Sequence, residues 1–149
     1  MMLAISKILT AALFATLAMT LFSYVTSRVL HHNFREPQLL NLLLDKLPSE
    51  RFSLVKEHII GWIIHFSIGG LFVFIFVQLR KFFNIDLSLE TGIIYGTLAG
   101  ILGAIAWRIF FALHPFPPQI KKWQFLFHLI FAHIVFGMVM IWCLKMLNS

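Results

Sequence analysis

The chain has 149 residues, of which 60% are hydrophobic and 12% are charged. Ordinary soluble domains carry about 25% charged residues, so this composition excludes a domain that folds in water. The net charge of +6 comes from residues between and at the ends of apolar runs and not from a separate basic domain, which argues against a nucleic-acid partner.

Four long runs contain no Asp, Glu or Lys: residues 8–27, 59–79, 93–112 and 123–144. A hydrocarbon core about 30 Å thick is crossed by about 20 apolar residues in a helix. Lipid offers no hydrogen-bond partners to the backbone, so helix is the expected form. The sequence therefore predicts a single all-α transmembrane domain over residues 1–149, with the lipid bilayer as its surroundings and four transmembrane helices in an antiparallel bundle.

The predicted helices span residues 5–27, 54–79, 89–113 and 120–146. We interpret the first as a retained helix, because its apolar stretch exceeds the usual 7–15-residue core of a signal peptide. Ser88 is a good N-cap for the third helix. The proline-rich stretch 115–118 ends that helix, because proline does not fit a helix interior.

The loop at residues 28–53 contains a leucine-rich segment, residues 38–47. Leu40, Leu43, Leu44 and Leu47 fall on one helical face. Two placements stay open for this short helix. It lies on the membrane as an interfacial helix, or it packs against the end of the bundle.

Lys and Arg are distributed unevenly between the two ends of the bundle. The first and third loops hold seven of them, against four on the opposite side, with Arg108 counted on neither. The positive-inside rule then places loops one and three in the cytoplasm and both termini outside, in a bacterial inner membrane.

A ribbon of small residues follows the third helix at Gly92, Gly96, Gly100 and Gly103. Such ribbons let two membrane helices approach closely. The ribbon forms a seam with a second copy or a partner subunit, or it packs inside the monomer. Packing inside the monomer is the simpler interpretation, since a four-helix protein needs such a face in any case.

A few ionisable residues interrupt the apolar helices. Membrane-embedded residues of this kind usually face the protein interior. From the helix rise, His65, Arg108 and His128 lie roughly 8–15 Å below one membrane face. His58 is on the same helical face as His65 and nearer the surface. His133 lies nearer the bilayer centre and about 140° around its helix from His128, so the two cannot point into the same site.

Four interpretations of these residues remain open. Two histidines could ligate a haem, with Arg108 near its propionates, or imidazoles could bind a metal ion. A pocket around Arg108 could bind a lipid headgroup or a quinone-like molecule. The simplest interpretation is hydrogen bonding between helices, with Arg108 extending to the headgroups. The sequence therefore predicts no cofactor, with haem as the alternative. It does not indicate whether a metal ion is bound or which one.

Two segments carry a resemblance. They read Gly61-Trp-Ile-Ile-His65-Phe-Ser-Ile-Gly69 and His128-Leu-Ile-Phe-Ala-His-Ile-Val-Phe-Gly137. Together with the proline-rich stop, they resemble small four-helix integral membrane proteins of bacteria that have no defined activity. The resemblance implies a bacterial membrane and a joint role for His65 and His128.

Catalytic motifs are absent from the sequence, so no catalytic residue is predicted. A non-enzymatic role is favoured, and the question of an enzymatic activity stays open. The predicted function is that of a small polytopic membrane protein acting through helix–helix contacts or as a subunit of a membrane assembly. The alternative is a membrane protein that binds a cofactor, a lipid headgroup or a quinone. The candidate binding residues are His58, His65, Arg108, His128 and His133.

Overall fold

The computed structural model describes residues 2–45 and 58–147. Within them the chain forms five helices: α1 (Met2–Val29), α2 (Glu36–Asp45), α3 (Ile59–Phe83), α4 (Leu89–Leu113) and α5 (Lys122–Met146). Among these, α1, α3, α4 and α5 are long and apolar enough to cross a membrane. The predicted all-α membrane fold with four spanning helices is confirmed. The predicted start of the second spanning helix at residue 54 and the predicted end of the loop helix at residue 47 lie outside the described residues.

The helix α5 is the centre of the bundle. It packs along α4 on one side and along α1 on the other, and α1 also packs against α3. Because the spanning helices alternate in direction, α2 and the connection from α4 to α5 share one end of the bundle, called here the α2 end. At that end His114 Nε2 donates a 3.0 Å hydrogen bond to the carbonyl oxygen of Leu43.

The glycine ribbon of α4 packs against α5 of the same chain. A Cβ atom on Gly96 would lie 2.8 Å from Ile134 Cα, and one on Gly100 would lie 2.7 Å from Ile130 Cα. Gly137 of α5 faces back toward the ribbon, where its Cβ would lie 3.0 Å from Gly96 Cα. The two backbones are therefore too close for side chains, and the ribbon serves packing inside the bundle.

The short helix α2 packs into the end of the bundle, which is the second of its two expected placements. Its first residues, Glu36 to Leu39, and Asn41 are all buried. The Asn41 side chain holds the start of α3, since its Oδ1 accepts from Gly61 N–H at 2.8 Å and its Nδ2 donates to His58 O at 2.6 Å. This side chain satisfies a backbone group that a helix N-terminus leaves without an intrahelical partner.

Local capping fixes the other helix ends. Ser88 caps α4 as predicted, accepting from Thr91 N–H at 3.1 Å. Asn84 ends α3 in the left-handed conformation, with φ 52°. His58 is the N-cap of α3, and its Nδ1 accepts from Ile60 N–H at 3.2 Å. His58 therefore has a structural role at the bundle surface.

Candidate functional site

A cavity of about 330 Å³ lies between α3 and α4. Residues from all five helices line it, and the ionisable ones are Glu36, His65 and His133. The rest of its wall is almost entirely apolar. Leu71 of α3 and Leu102 of α4 line the cavity and are 56% and 60% exposed on the outer surface. The cavity therefore opens sideways, toward the surface that faces lipid.

The gap exists because α3 and α4 do not pack closely along their length. They meet at Tyr95, whose hydroxyl donates to Phe72 O at 2.6 Å and whose ring lies 5.0 Å from that of Phe76. Toward the α2 end the facing residues of α4 include Gly103 and Ala106, which are small. Open space remains where larger side chains would have filled it.

Glu36 brings a carboxyl group into this space. Only 2% of the residue is exposed, and its Oε1 accepts a 2.6 Å hydrogen bond from the Ser23 hydroxyl. Its other oxygen, Oε2, is buried and has no hydrogen-bond partner among the described residues. Burial raises the pKa of this carboxyl to about 7, although the Ser23 hydrogen bond opposes the shift. Near neutral pH the group therefore exists in both protonated and ionised forms.

A polar stripe on α1 provides hydrogen-bond partners for the ionisable residues of the cavity. Thr16, Thr20, Ser23 and Ser27 are all buried and recur at helical spacing on one face of α1. The Thr20 hydroxyl donates to Thr16 O at 2.7 Å. Ser27 Oγ accepts from Phe34 N–H at 2.9 Å, which fixes the chain as it turns from α1 toward α2.

His65 is held by this stripe. Its Nε2 lies 2.9 Å from Thr20 Oγ1. Because the Thr20 proton is already donated to Thr16 O, the Thr20 oxygen accepts and His65 Nε2 carries the proton. The Nδ1 atom of a neutral His65 is then an acceptor.

His133 lines the cavity from α5. Its Nδ1 donates to Leu129 O at 2.8 Å, one turn earlier in the same helix. In the neutral ring this leaves Nε2 as an acceptor. A Cβ atom on Gly103 would lie 3.3 Å from His133 Cε1, so glycine at that position leaves room for the ring.

His128 lies behind Glu36 and does not line the cavity. Its Nε2 is 3.0 Å from Ser23 Oγ, and its ring stacks between Phe22 and Phe34 at centroid distances of 5.3 and 5.0 Å. Ser23 donates to Glu36, so it accepts from His128. The hydrogen bonds thus run from His128 through Ser23 to Glu36.

The structure brings together only some of the residues singled out from sequence. His65 and His133 line the cavity, and His128 is connected to it through Ser23 and Glu36. Arg108 is exposed on the outer face of α4, where its guanidinium lies 5.5 Å from the centroid of the Trp123 ring. His58 caps α3 and does not line the cavity.

An axial pair for haem needs two imidazoles that face one open space. His65 and His128 do not line a common cavity, and the Nε2 atom of each has a hydroxyl partner. In the described ranges 2–45 and 58–147, no group of three or more His, Cys, Asp or Glu side chains is arranged to hold a metal ion.

Sequence reasoning missed Glu36, Thr16 and Thr20. The predicted apolar helices contain no carboxylate, and Glu36 lies just before the loop segment predicted to be helical, so neither pattern includes it. The sequence feature that could have identified Glu36 is an acidic residue followed by Pro37, a pair suited to the first turn of a helix. The signal for the two threonines is their spacing with Ser23 and Ser27 on one face of α1.

Comparisons with protein-family models, with curated proteins and with solved structures found no match to this chain.

Proposed function

We propose that the protein binds a lipid-soluble molecule with an apolar tail and a small neutral head that both accepts and donates hydrogen bonds, a description that fits a quinone or quinol. The observation that carries the proposal is Glu36 Oε2, which has no hydrogen-bond partner in the described part of the chain and belongs to a residue that lines a cavity open to the lipid face. A buried polar group without a partner is unfavourable, so a ligand that supplies one stabilises the site.

The apolar wall of the cavity favours a ligand with an apolar tail. Leu71, Leu102 and Phe110 line it and are also exposed on the outer surface. A second hollow of about 370 Å³ shares Leu40, Ile68 and Phe110 with the first, so apolar space continues along α3 and α4 toward the α2 end. A ligand can enter from the bilayer without crossing water.

The charges of the lining residues favour a ligand whose head group is neutral. Among its described lining residues none is Lys or Arg, and an ionised Glu36 would repel an anion. Protonated Glu36 donates a hydrogen bond, which suits a ring carbonyl. His133 Nε2 and His65 Nδ1 accept hydrogen bonds, which suits a hydroxyl.

The test uses the full chain, purified in detergent and titrated with a benzoquinone that carries a decyl tail. Trp107 lines the cavity, so its fluorescence reports occupancy through quenching. Wild type should show saturable quenching. Glu36→Leu should bind roughly tenfold more weakly, because one hydrogen bond to the head is lost. Glu36→Gln keeps a donor and should bind nearly as well as wild type.

Two bulky substitutions on α4 supply the steric control. Ala106→Phe fills the cavity and should abolish saturable quenching. Ile94→Phe adds a ring on the exposed surface away from the cavity, where Ile94 is 54% exposed, and should change nothing. Quenching that is the same in all four variants would reflect quinone partitioning into the micelle and would overturn the proposal.

We also propose that the membrane is a bacterial inner membrane and that the α2 end faces the cytoplasm. The excess of Lys and Arg at that end supports this orientation. In a Cys143→Ser background, Asp86→Cys at the opposite end should react with an impermeant maleimide in intact cells. Gln119→Cys should react only after permeabilisation. The reverse pattern would invert the orientation.

A further inference from the structure

Arg108 lies outside the cavity, and its surroundings form a second site. It is exposed on α4 and lies five residues before the helix ends at Leu113, roughly 8 Å along the axis. Its guanidinium lies over the Trp123 ring at the start of α5, with Cζ 5.5 Å from the ring centroid. This depth suits a side chain that meets headgroups at the edge of the hydrocarbon core.

Two hollows on the outer face of α4 and α5 meet at Arg108. One, of about 190 Å³, is a groove between the two helices lined by apolar residues such as Ile105 and Ile130. The other, of about 230 Å³, lies nearer the α2 end and includes Lys122. Both share Arg108 and Trp123 in their walls.

Positive charge converges at this meeting point. Lys122 opens α5, and Lys121 at the N-cap makes no side-chain capping bond. The first N–H groups of a helix have no intrahelical partners, and the helix dipole makes that end favourable for anions. No acidic residue lies in the first turn of α5, and none lines either hollow among the described residues.

We infer that this face binds an anionic phospholipid. The phosphate lies between Arg108, Lys122 and the start of α5, where a guanidinium and free N–H groups both donate to its oxygens. An acyl chain follows the groove past Ile105 toward the bilayer centre. The cationic part alone would accept any phosphate, but the apolar groove beside it selects one that carries a chain.

The inference is tested on the full chain in zwitterionic detergent, with thermal unfolding as the readout. Phosphatidylglycerol, phosphatidylcholine and inorganic phosphate are added separately. Phosphatidylglycerol should raise the unfolding temperature of wild type at concentrations at least tenfold below those at which phosphatidylcholine acts. Inorganic phosphate should give little shift.

Three variants locate the effect. Arg108→Gln should lose at least fivefold in apparent affinity for phosphatidylglycerol. Arg28→Gln removes another exposed arginine at the same end of the bundle and should retain it. Ile105→Trp narrows the groove at a residue that is 52% exposed, and should weaken lipid binding with the charges intact.

Equal loss in Arg108→Gln and Arg28→Gln would mean general attraction of anionic lipid to a basic surface and would overturn the inference. A wild-type shift produced equally by inorganic phosphate would reduce the site to an anion site and would overturn its lipid specificity. Neither outcome depends on Glu36 or on quinone binding, so the test of the lipid site is independent of the test of the cavity.

Discussion

The Ser23 hydroxyl donates a 2.6 Å hydrogen bond to Glu36 Oε1, which joins a spanning helix to a carboxyl group from the short helix α2. Ser23 also accepts from His128, so its proton is committed to Glu36. One oxygen of the carboxyl therefore has a hydrogen-bond partner on α1, and the other has none within residues 2–45 and 58–147. Glu36 is consequently the residue on which the chemistry of the cavity depends.

The first prediction concerns pH. Burial raises the pKa of Glu36 from 4.5 to about 7, so between these values the folded state holds a proton that the unfolded state has lost. The stabilising contribution is complete below about pH 4.5 and disappears as pH rises through about 7. The difference is on the order of 3 kcal/mol. Glu36→Gln, which does not titrate, should remove this dependence.

The measurement is the unfolding free energy in detergent between pH 5 and 8, compared across variants. Glu90→Gln changes an exposed acid at the opposite end of the bundle and serves as the control. His65 and His133 line the same cavity, and His128 is linked to Glu36 through Ser23. All three are present in both wild type and Glu36→Gln, so the difference between the two isolates the carboxyl. A difference that stays constant with pH would contradict the prediction.

The second prediction concerns the contact between α2 and α3. A Cβ atom on Gly61 would overlap Pro37 O and lie 2.7 Å from Asn41 Oδ1, the atom that accepts from Gly61 N–H. Gly61→Ala should therefore destabilise the protein by about 1–3 kcal/mol, as overpacking does. A Cβ atom on Gly70 of the same helix meets no described residue within 4 Å, and alanine has the better helix propensity, so Gly70→Ala is the control. Thermal unfolding of the two variants should shift in opposite directions, and equal shifts would argue against the contact.

Much of the fold was predictable because membrane spans follow from local composition. A run of about 20 apolar residues has one stable form in lipid, so the four spanning helices could be identified without tertiary information. The placement of α2 could not. Its leucine face suits a lipid surface and a bundle end equally well, and the choice depends on the hydrogen bonds of Asn41 to the start of α3, which periodicity does not reveal.

The directions of the candidate side chains could not be predicted from the sequence. Helix rise placed His65, Arg108 and His128 at one level, but the direction of each side chain depends on which face of its helix packs inward. Arg108 lies on the outer face of α4, while the buried face of that helix carries Trp107 and the glycine ribbon. Glu36 comes from a loop helix, so no count of residues within the spans includes it.

The third prediction separates packing within the chain from assembly between chains. Gly96 faces α5 so closely that a Cβ atom there would overlap His133 O. Gly96→Leu should therefore lower the unfolding temperature in detergent and leave the oligomeric state of the remaining folded protein unchanged. Unfolding and size-exclusion with light scattering measure the two effects. A change in oligomer size with unaltered stability would instead assign the ribbon to a partner chain.

The fourth prediction concerns the hydrogen bond that holds His65. Thr20→Val keeps the shape of the side chain but removes the oxygen that accepts from His65 Nε2 at 2.9 Å. A buried donor loses its partner, so we expect a destabilisation of about 1 kcal/mol.

Thr97→Val is the matched control, because the Thr97 hydroxyl donates to Ile93 O of its own helix at 2.8 Å just as Thr20 donates to Thr16 O. Both variants lose that bond within the helix, and only Thr20→Val also loses the bond to His65. Equal unfolding free energies for the two variants would show that the Thr20–His65 bond contributes nothing to stability, and a larger loss in Thr20→Val measures its contribution directly.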